Sequence, residues 1–377
     1  MQPFNPQRAP VFGKVGMACS SQPLAAAVGR DILKAGGNAA DAAIAMAAMV
    51  NVTEPMMNGL GGDCMILAHW NSECLAVNGS GRSGSRLTID NLRAAGFSAM
   101  PQAGAAAVTV PGALDAYLAL HERFGTMELA DLFEPAAAYA DEGFAVGTKI
   151  AQVWEWGASK LERFSADPSP YLPGGAAPKP GDIFRQQDLA RTWRSIGKNG
   201  RGAFYAGNVR DRILDVLHKA GGFLDSEDFD QTQAEWVEPL RGAYRGHTIV
   251  ELPPNGQGVV ALMALGILES YDLRLEAGRI EPRQAVAQHA SLDGAGLAAP
   301  VMDHHAAIGV EDQIMLDAGQ REVAVELDPL IVRRGARRKD LHHDDQAVAQ
   351  AQAHVIEGHR FVVDIDLAKF SGSITTG

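Results

Sequence analysis

Cysteine is scarce: Cys19, Cys64 and Cys74 are the only three in 377 residues, and no two stand in a CxxC spacing. An odd, scattered set of thiols excludes a disulfide framework and a cysteine zinc site, and small buried hydrophobes account for it. A surplus of positive charge is also missing, since 33 Lys and Arg face 45 Asp and Glu for a net charge of -12. Nucleic-acid binders normally carry a clustered basic face, so this balance points to a small-molecule ligand. Long apolar runs are absent too. The most apolar stretch, "AADAAIAMAAMVNV" (39–52), is too short to span a bilayer and is interrupted by Asp41. The opening "MQPFNPQRAP" has no signal-peptide core, which leads to the expectation of a cytoplasmic protein without membrane attachment.

What is present is the composition of a globular chain, 46% hydrophobic and long enough for one large α/β domain or two ordinary ones. "QPLAAAVGRDILKAGGNAADAAIAMAAMVNV" (22–52) reads as a helix, a Gly-Gly stop and a second, alanine-rich helix. Leu24, Val28, Ile32 and Leu33 mark the buried stripe of the first, and Asn38 and Asp41 suit the cap of the second. "CMILAHW" (64–70) and "CLAVNG" (74–79) predict a strand-turn-strand. Two helices broken at Phe124-Gly125 are expected between Thr109 and Val146, a loop over 165–184, and a helix within 200–229 that ends at Gly221-Gly222. Residues 244–273 predict a strand, a Pro-Pro turn and a buried helix.

Beyond that point the character of the chain changes. Every Tyr and Trp lies at or before Tyr271, whereas seven of the eleven histidines lie between His289 and His359. Two regions follow from this, 1–273 and a divergent tail 274–377, for which a frameshifted or unrelated reading of the gene would account.

One loop stands apart. In "VNGSGRSGSRLT" (77–88) Arg82 rises from a backbone dressed only with glycine and serine. A solvated loop arginine and a ligand-binding one are both compatible with that pattern. "NGLGGD" (58–63) is not a phosphate cradle, because it lacks the Lys-Ser/Thr of a P-loop and a full GxGxxG. A tight turn, with Asp63 structural, is the expected role.

The pieces "MACSSQPLAAAVGRDILKAGGNAADAAIA", "EPMMNGLGGDCMIL", "NGSGRS", "VPGALDAY", "LFEPAAAYADEGFAV", "GRGAFYAG", "AGGFLDSEDF", "EPLRGAYRG" and "ELPPNGQGVVALMALGILESYDL" together resemble the large-subunit region of the γ-glutamyltransferase family, in its non-secreted bacterial branch. The resemblance covers roughly residues 12–273. It implies an α/β fold of the N-terminal-nucleophile hydrolase type, an α/β/β/α sandwich left incomplete where the small-subunit region is missing. Open sheet edges and uncovered apolar area are then expected.

The implied chemistry is γ-glutamyl transfer or hydrolysis on glutathione and related γ-glutamyl compounds. The acyl group passes through an enzyme ester on an amino-terminal threonine to water or an amino acid, and no cofactor is needed. The threonine is exposed by autocatalytic cleavage, and a small subunit of the same precursor is the expected partner. The resemblance assigns Arg82 to the α-carboxylate of the γ-glutamyl group, with Arg86 outside the matched motif and left at the surface. The catalytic threonine has only a weak candidate, Thr375 in "FSGSITTG", with Thr376 beside it. Two other readings stand: a cephalosporin or glutaryl acylase of the same family, and a non-catalytic fragment whose "MDHH" (302–305) and "HHDD" (342–345) would bind metal.

Overall fold

A computed structural model of the protein describes residues 11–164 and 169–270, with short strands at 315–316 and 362–366. These residues divide between two compact units. One runs from Ala18 to Val237 and takes in the strand at 362–366; the other comprises residues 11–17, the chain from Glu238 onward and the strand at 315–316. The expected boundary at 273–274 lies outside the described residues.

In the larger unit, α1 (Pro23–Lys34) starts on a proline, whose missing N–H costs nothing in a first turn, and buries Val28 and Ile32. The Gly-Gly stop is formed as expected, with Gly36 N–H donating to Leu33 O at 3.3 Å and Gly37 N–H to Ile32 O at 3.1 Å. The alanines of α2 (Ala39–Thr53) are buried on nearly every side. With no atoms beyond Cβ, they let neighbouring helices come close. Two polar side chains of α2 donate back to its own carbonyls, Asn51 Nδ2 to Ala47 O and Thr53 Oγ1 to Met49 O, each at 2.9 Å.

Asn38 and Asp41 form a reciprocal cap. Asn38 Oδ1 accepts from the amides of Ala40 at 2.8 Å and Asp41 at 3.1 Å, while Asp41 Oδ2 accepts from Asn38 N at 2.9 Å. The pair also reaches across the fold. Asp41 accepts from Thr126 N at 2.9 Å, Thr126 Oγ1 at 2.5 Å and Met127 N at 3.3 Å, and Asn38 Nδ2 donates to Phe124 O at 2.6 Å.

A hairpin follows, β1 (Cys64–Trp70) and β2 (Glu73–Gly79), one residue longer in β2 than the apolar pattern suggests. Asn71 and Ser72 turn it with φ of 50° and 69°, the two-residue geometry whose twist matches antiparallel strands. Then come α3 (Ile89–Ala94), α4 (Ala113–Phe124), α5 (Leu129–Glu142) and β3 (Phe144–Ala145). Residues 148–164, unassigned from the sequence, form α6, which buries Trp154. The loop expected at 165–184 ends in β4 (Ile183–Phe184), whose Phe184 packs edge-on to Trp154 at 4.7 Å. Next are α7 (Gln187–Asn199), α8 (Gly202–Tyr205), α9 (Gly207–Lys219), α10 (Ser226–Gln231) and β5 (Glu235–Val237). Trp193 of α7 is fully buried against Phe133 of α5, with ring centroids 4.7 Å apart. Each such buried aromatic contributes about 2–3 kcal/mol.

The other unit holds β6 (Leu240–Tyr244) and β7 (His247–Glu251), then α11 (Gly258–Glu269). β8 (Met315–Leu316) pairs antiparallel with β7. α11 is the predicted helix, yet only Gly258 in it is buried, and Val260 and Met263 are more than half exposed. It is apolar around its whole circumference, so no single β6–β7 face is broad enough to cover it. The last strand, β9 (Val362–Asp366), belongs to the larger unit and lies on β1, giving a four-stranded sheet in the order β5-β2-β1-β9. That edge of β1 is therefore paired.

Asp41→Ala is expected to cost about 3 kcal/mol or more, because it removes the helix cap and strips acceptors from Thr126 and Met127 together. Denaturant unfolding checks this; a loss under about 1 kcal/mol would reduce Asp41 to an ordinary cap.

Candidate functional site

Three glycine-containing segments interlock at the end of the hairpin. The turn 58–63 closes on Gly62 N–H to Gly59 O at 3.0 Å. Gly62 O then accepts from both Gly112 N at 2.9 Å and Ala113 N at 3.0 Å, at the entrance of α4. Val110 N–H donates to Arg82 O at 2.9 Å, which holds the Gly/Ser loop against the same entrance. The approach is too close for side chains. A Cβ on Gly81, which has φ of +75°, would collide with the carbonyl of Val110, and one on Gly112 would lie 2.5 Å from Gly81 N. Further along, Ser85 N–H donates to Asp228 Oδ1 at 2.8 Å, pinning the loop's far end to α10.

Arg82 is thus fixed at its backbone while its side chain, 66% exposed, reaches outward and pairs among the described residues with Glu235, Nη2 to Oε1 at 2.7 Å. Glu235 lies on β5, in register with Asn78 of β2. The segment before it is clamped. Ala234 N–H donates to Asp115 Oδ2 at 2.6 Å, Arg201 Nε donates to Asp115 Oδ1 at 2.7 Å, and Arg201 Nη2 also reaches Thr232 O. Tyr205 completes the clamp, its hydroxyl donating to Pro111 O at 2.7 Å and its ring lying under the Arg201 guanidinium at 4.3 Å. Burial pushes the Tyr205 phenol up, and the Asp115 charge adds to the shift. After Glu235, Trp236 is covered by Arg123 at 4.4 Å and meets Phe124 edge-on at 6.0 Å.

Sequence reasoning singled out Arg82 and missed Glu235. No local signal joins them, because 153 residues separate the two. Arg86 lies exposed on the loop before α3, where its carbonyl accepts from Asn91 Nδ2 at 2.7 Å. Asp63, expected to be structural, has an unusual state. Burial raises its carboxyl to about 6, only partly offset by its own backbone amide, and among the described residues its Oδ1 accepts no hydrogen bond. The Tyr117 phenol nearby is pushed well up, by burial first and then by the charges of Cys64 and Asp63. The cysteines are all thiols, Cys64 buried, Cys74 half-buried and Cys19 exposed.

Among the described residues no group of three His, Cys, Asp or Glu is placed to hold a metal ion, and no helix is long and apolar enough to cross a membrane. Thr375, Thr376 and the 302–305 and 342–345 motifs lie outside the described residues.

Comparison with known proteins completes the picture. A family model described as gamma-glutamyltranspeptidase matches residues 25–353, reaching into the tail beyond the last sequence motif. The glutathione hydrolase-like YwrD proenzyme of Bacillus subtilis (strain 168) is 39% identical over 275 residues, 72% of this chain and 52% of its own length. The acylase ACY 1 proenzyme of Pseudomonas sp. (strain SE83) is 35% identical over 293 residues, 72% of this chain and 50% of its own. Among solved structures, cephalosporin acylase from Bacillus halodurans is similar with a TM-score of 0.68 and 41% identity, over 72% of this chain and 52% of that one. Helicobacter pylori gamma-glutamyltranspeptidase also gives 0.68, at 29% identity, over 74% and 82%. The chain spans about half the length of the curated relatives it matches.

Two outcomes test this geometry. Gly81→Ala is expected to destabilise the fold by about 2–4 kcal/mol in denaturant unfolding, since both its φ and the Val110 carbonyl oppose a Cβ. A neutral result would mean that the interlock yields easily. Asp63 stays protonated in the folded chain up to about pH 6, whereas in the unfolded chain it ionises near pH 4. Its contribution is therefore full below about pH 4, falls as pH rises to about 6, and stays lost above. Asp63→Asn should gain about 1–2 kcal/mol at pH 7.5 and little at pH 4, read from thermal unfolding at both values. Equal effects at the two values would contradict the assigned protonation.

Proposed function

Because the chain belongs to the γ-glutamyltranspeptidase family, whose fold class is the α/β N-terminal-nucleophile hydrolase, we propose that it carries the acyl-recognition half of a γ-glutamyl hydrolase or transferase. Arg82 is the residue that holds the α-carboxylate of the γ-glutamyl group. One observation carries this reading: an exposed arginine side chain stands on a loop whose backbone is held at Arg82 and again at Ser85 by hydrogen bonds of 2.9 and 2.8 Å. A guanidinium presents parallel N–H donors that match a carboxylate, so binding fixes orientation as well as position. Holding that end of the substrate sets the γ-carbonyl at a defined reach along the glutamyl chain. There the hydroxyl of an amino-terminal threonine attacks, with its own α-amino group, of pKa about 8, as the base. The leaving amine departs, and the acyl-enzyme ester passes its γ-glutamyl group to water or to an amino acid.

A glutaryl acylase is the second reading, favoured by the similarity to cephalosporin acylase. A glutaryl group ends in a carboxylate at the same distance from the scissile carbonyl, so Arg82 suits it as well.

Release of chromophore from γ-glutamyl and glutaryl anilides by the purified 377-residue chain separates the two. The expected result is preference for the γ-glutamyl compound and a fall in kcat/KM of about 10²-fold or more in Arg82→Ala. Preference for the glutaryl compound would replace the first reading with the second, and unchanged kinetics in Arg82→Ala would overturn the role of Arg82 in both. Where turnover is seen, Thr375→Ala tests the nucleophile directly.

A further inference from the structure

α6 carries a second concentration of functional groups, none of which acyl recognition uses. One side of the helix buries Ile150, Ala151 and Trp154. Helical spacing gathers Ser159, Lys160, Arg163 and Phe164 on another side of its last turns, and Glu155 and Glu162 fall off that side. These four residues border a cleft of about 430 Å³, whose other wall is Gln102 and Ala103, just before the short turn Ala105–Ala107. That volume lies within the range of small-molecule sites.

The lining is chemically one-sided. Two cations, an amide and a hydroxyl can all donate hydrogen bonds, and none of the six lining residues carries a carboxylate. Arg163 is braced by the ring of Phe164, its guanidinium 4.9 Å from the centroid. The ring is braced in turn by the opposite wall, for a Cβ at Gly104 would lie only 3.2 Å from it. Among the described residues Arg163 makes no ion pair. Cations in a last turn also suit the helix dipole, so charge alone would not single this place out. What does is the convergence of donors from two separate segments on one concavity, free of acid in a chain of net charge -12.

We propose that this cleft binds a compact dianion, a phosphate group or a small dicarboxylate, held between Lys160 and Arg163 with Gln102 and Ser159 donating to its remaining oxygens. Two adjacent positive charges favour two negative ones over one, and charge-assisted bonds from a guanidinium supply the orientation. The site uses neither Arg82 nor the γ-glutamyl reading, so it stands or falls by itself.

The test titrates inorganic phosphate, succinate and acetate into the full 377-residue chain at constant ionic strength and neutral pH, by calorimetry. The same titrations are run on Lys160→Gln, Arg163→Gln, Arg163→Lys and Arg82→Ala, with matched thermal midpoints as the check on folding. Wild type is expected to bind phosphate or succinate about 10-fold or more tighter than acetate, and whichever dianion binds better names the group. Lys160→Gln and Arg163→Gln should each weaken that dianion by about 10-fold or more, Arg163→Lys should keep more of the affinity than Arg163→Gln, and Arg82→Ala should leave it unchanged. Dianions bound no tighter than acetate by wild type would overturn the inference without any variant. Wild-type affinity in both glutamine variants would overturn it too, as would loss of binding in Arg82→Ala, which would move the anion to the Gly/Ser loop.

Discussion

The arrangement depends on a backbone interlock. One carbonyl, Gly62 O, takes two amides from the entrance of α4, and the amide of Val110 closes onto Arg82 from the same segment. Hydrogen bonds between main-chain groups demand close approach, and here that approach is possible only because Gly81 and Gly112 have no Cβ to obstruct it. The hairpin end, the 58–63 turn and the start of α4 are consequently one rigid piece. A flexible arginine tip on that piece samples few positions relative to anything else bound to it.

A second layer of order comes from charge. Asp115 gathers the Arg201 guanidinium and the Ala234 amide at 2.7 and 2.6 Å, inside a fold that leaves its side chain only 8% exposed. A carboxylate so enclosed is costly unless its oxygens are occupied, and both are. The same contacts fix the course of the chain into β5, so a structural ion pair determines where Glu235 stands. Asp41 plays a corresponding part elsewhere, where it ties the start of α2 to Thr126 and Met127 in the loop that follows α4.

Much of the framework was legible. Helical spacing, the Gly-Gly stop, the Asn38–Asp41 cap and the hairpin are local patterns, each written within a few residues, and each appears where expected. The bare loop around Arg82 was equally visible, since small residues flanking one long cation are a sequence feature. Less legible were partners brought together by folding. Asp115 and Arg201 are 86 residues apart and Arg82 and Glu235 are 153, and nothing in "AEWVEPL" distinguishes its first glutamate from a solvated one. The state of Asp63 was hidden for the same reason, because a pKa depends on what surrounds the carboxyl and not on its neighbours in sequence. The exposure of α11 contradicted the apolar pattern: hydrophobicity says that a surface seeks cover, not how much cover the adjoining strands provide.

The interlock has an evolutionary side. It is made of amide and carbonyl groups, Gly62 O taking the amides of Gly112 and Ala113 and Arg82 O that of Val110, so these bonds do not depend on the side chains at Arg82, Ser83 or Glu235. Exchanging them alters what the loop displays while leaving the scaffold's own bonds intact. Such a division would let the displayed side chains change by single substitutions, with the glycines held constant and the scaffold's own bonds carried through each step.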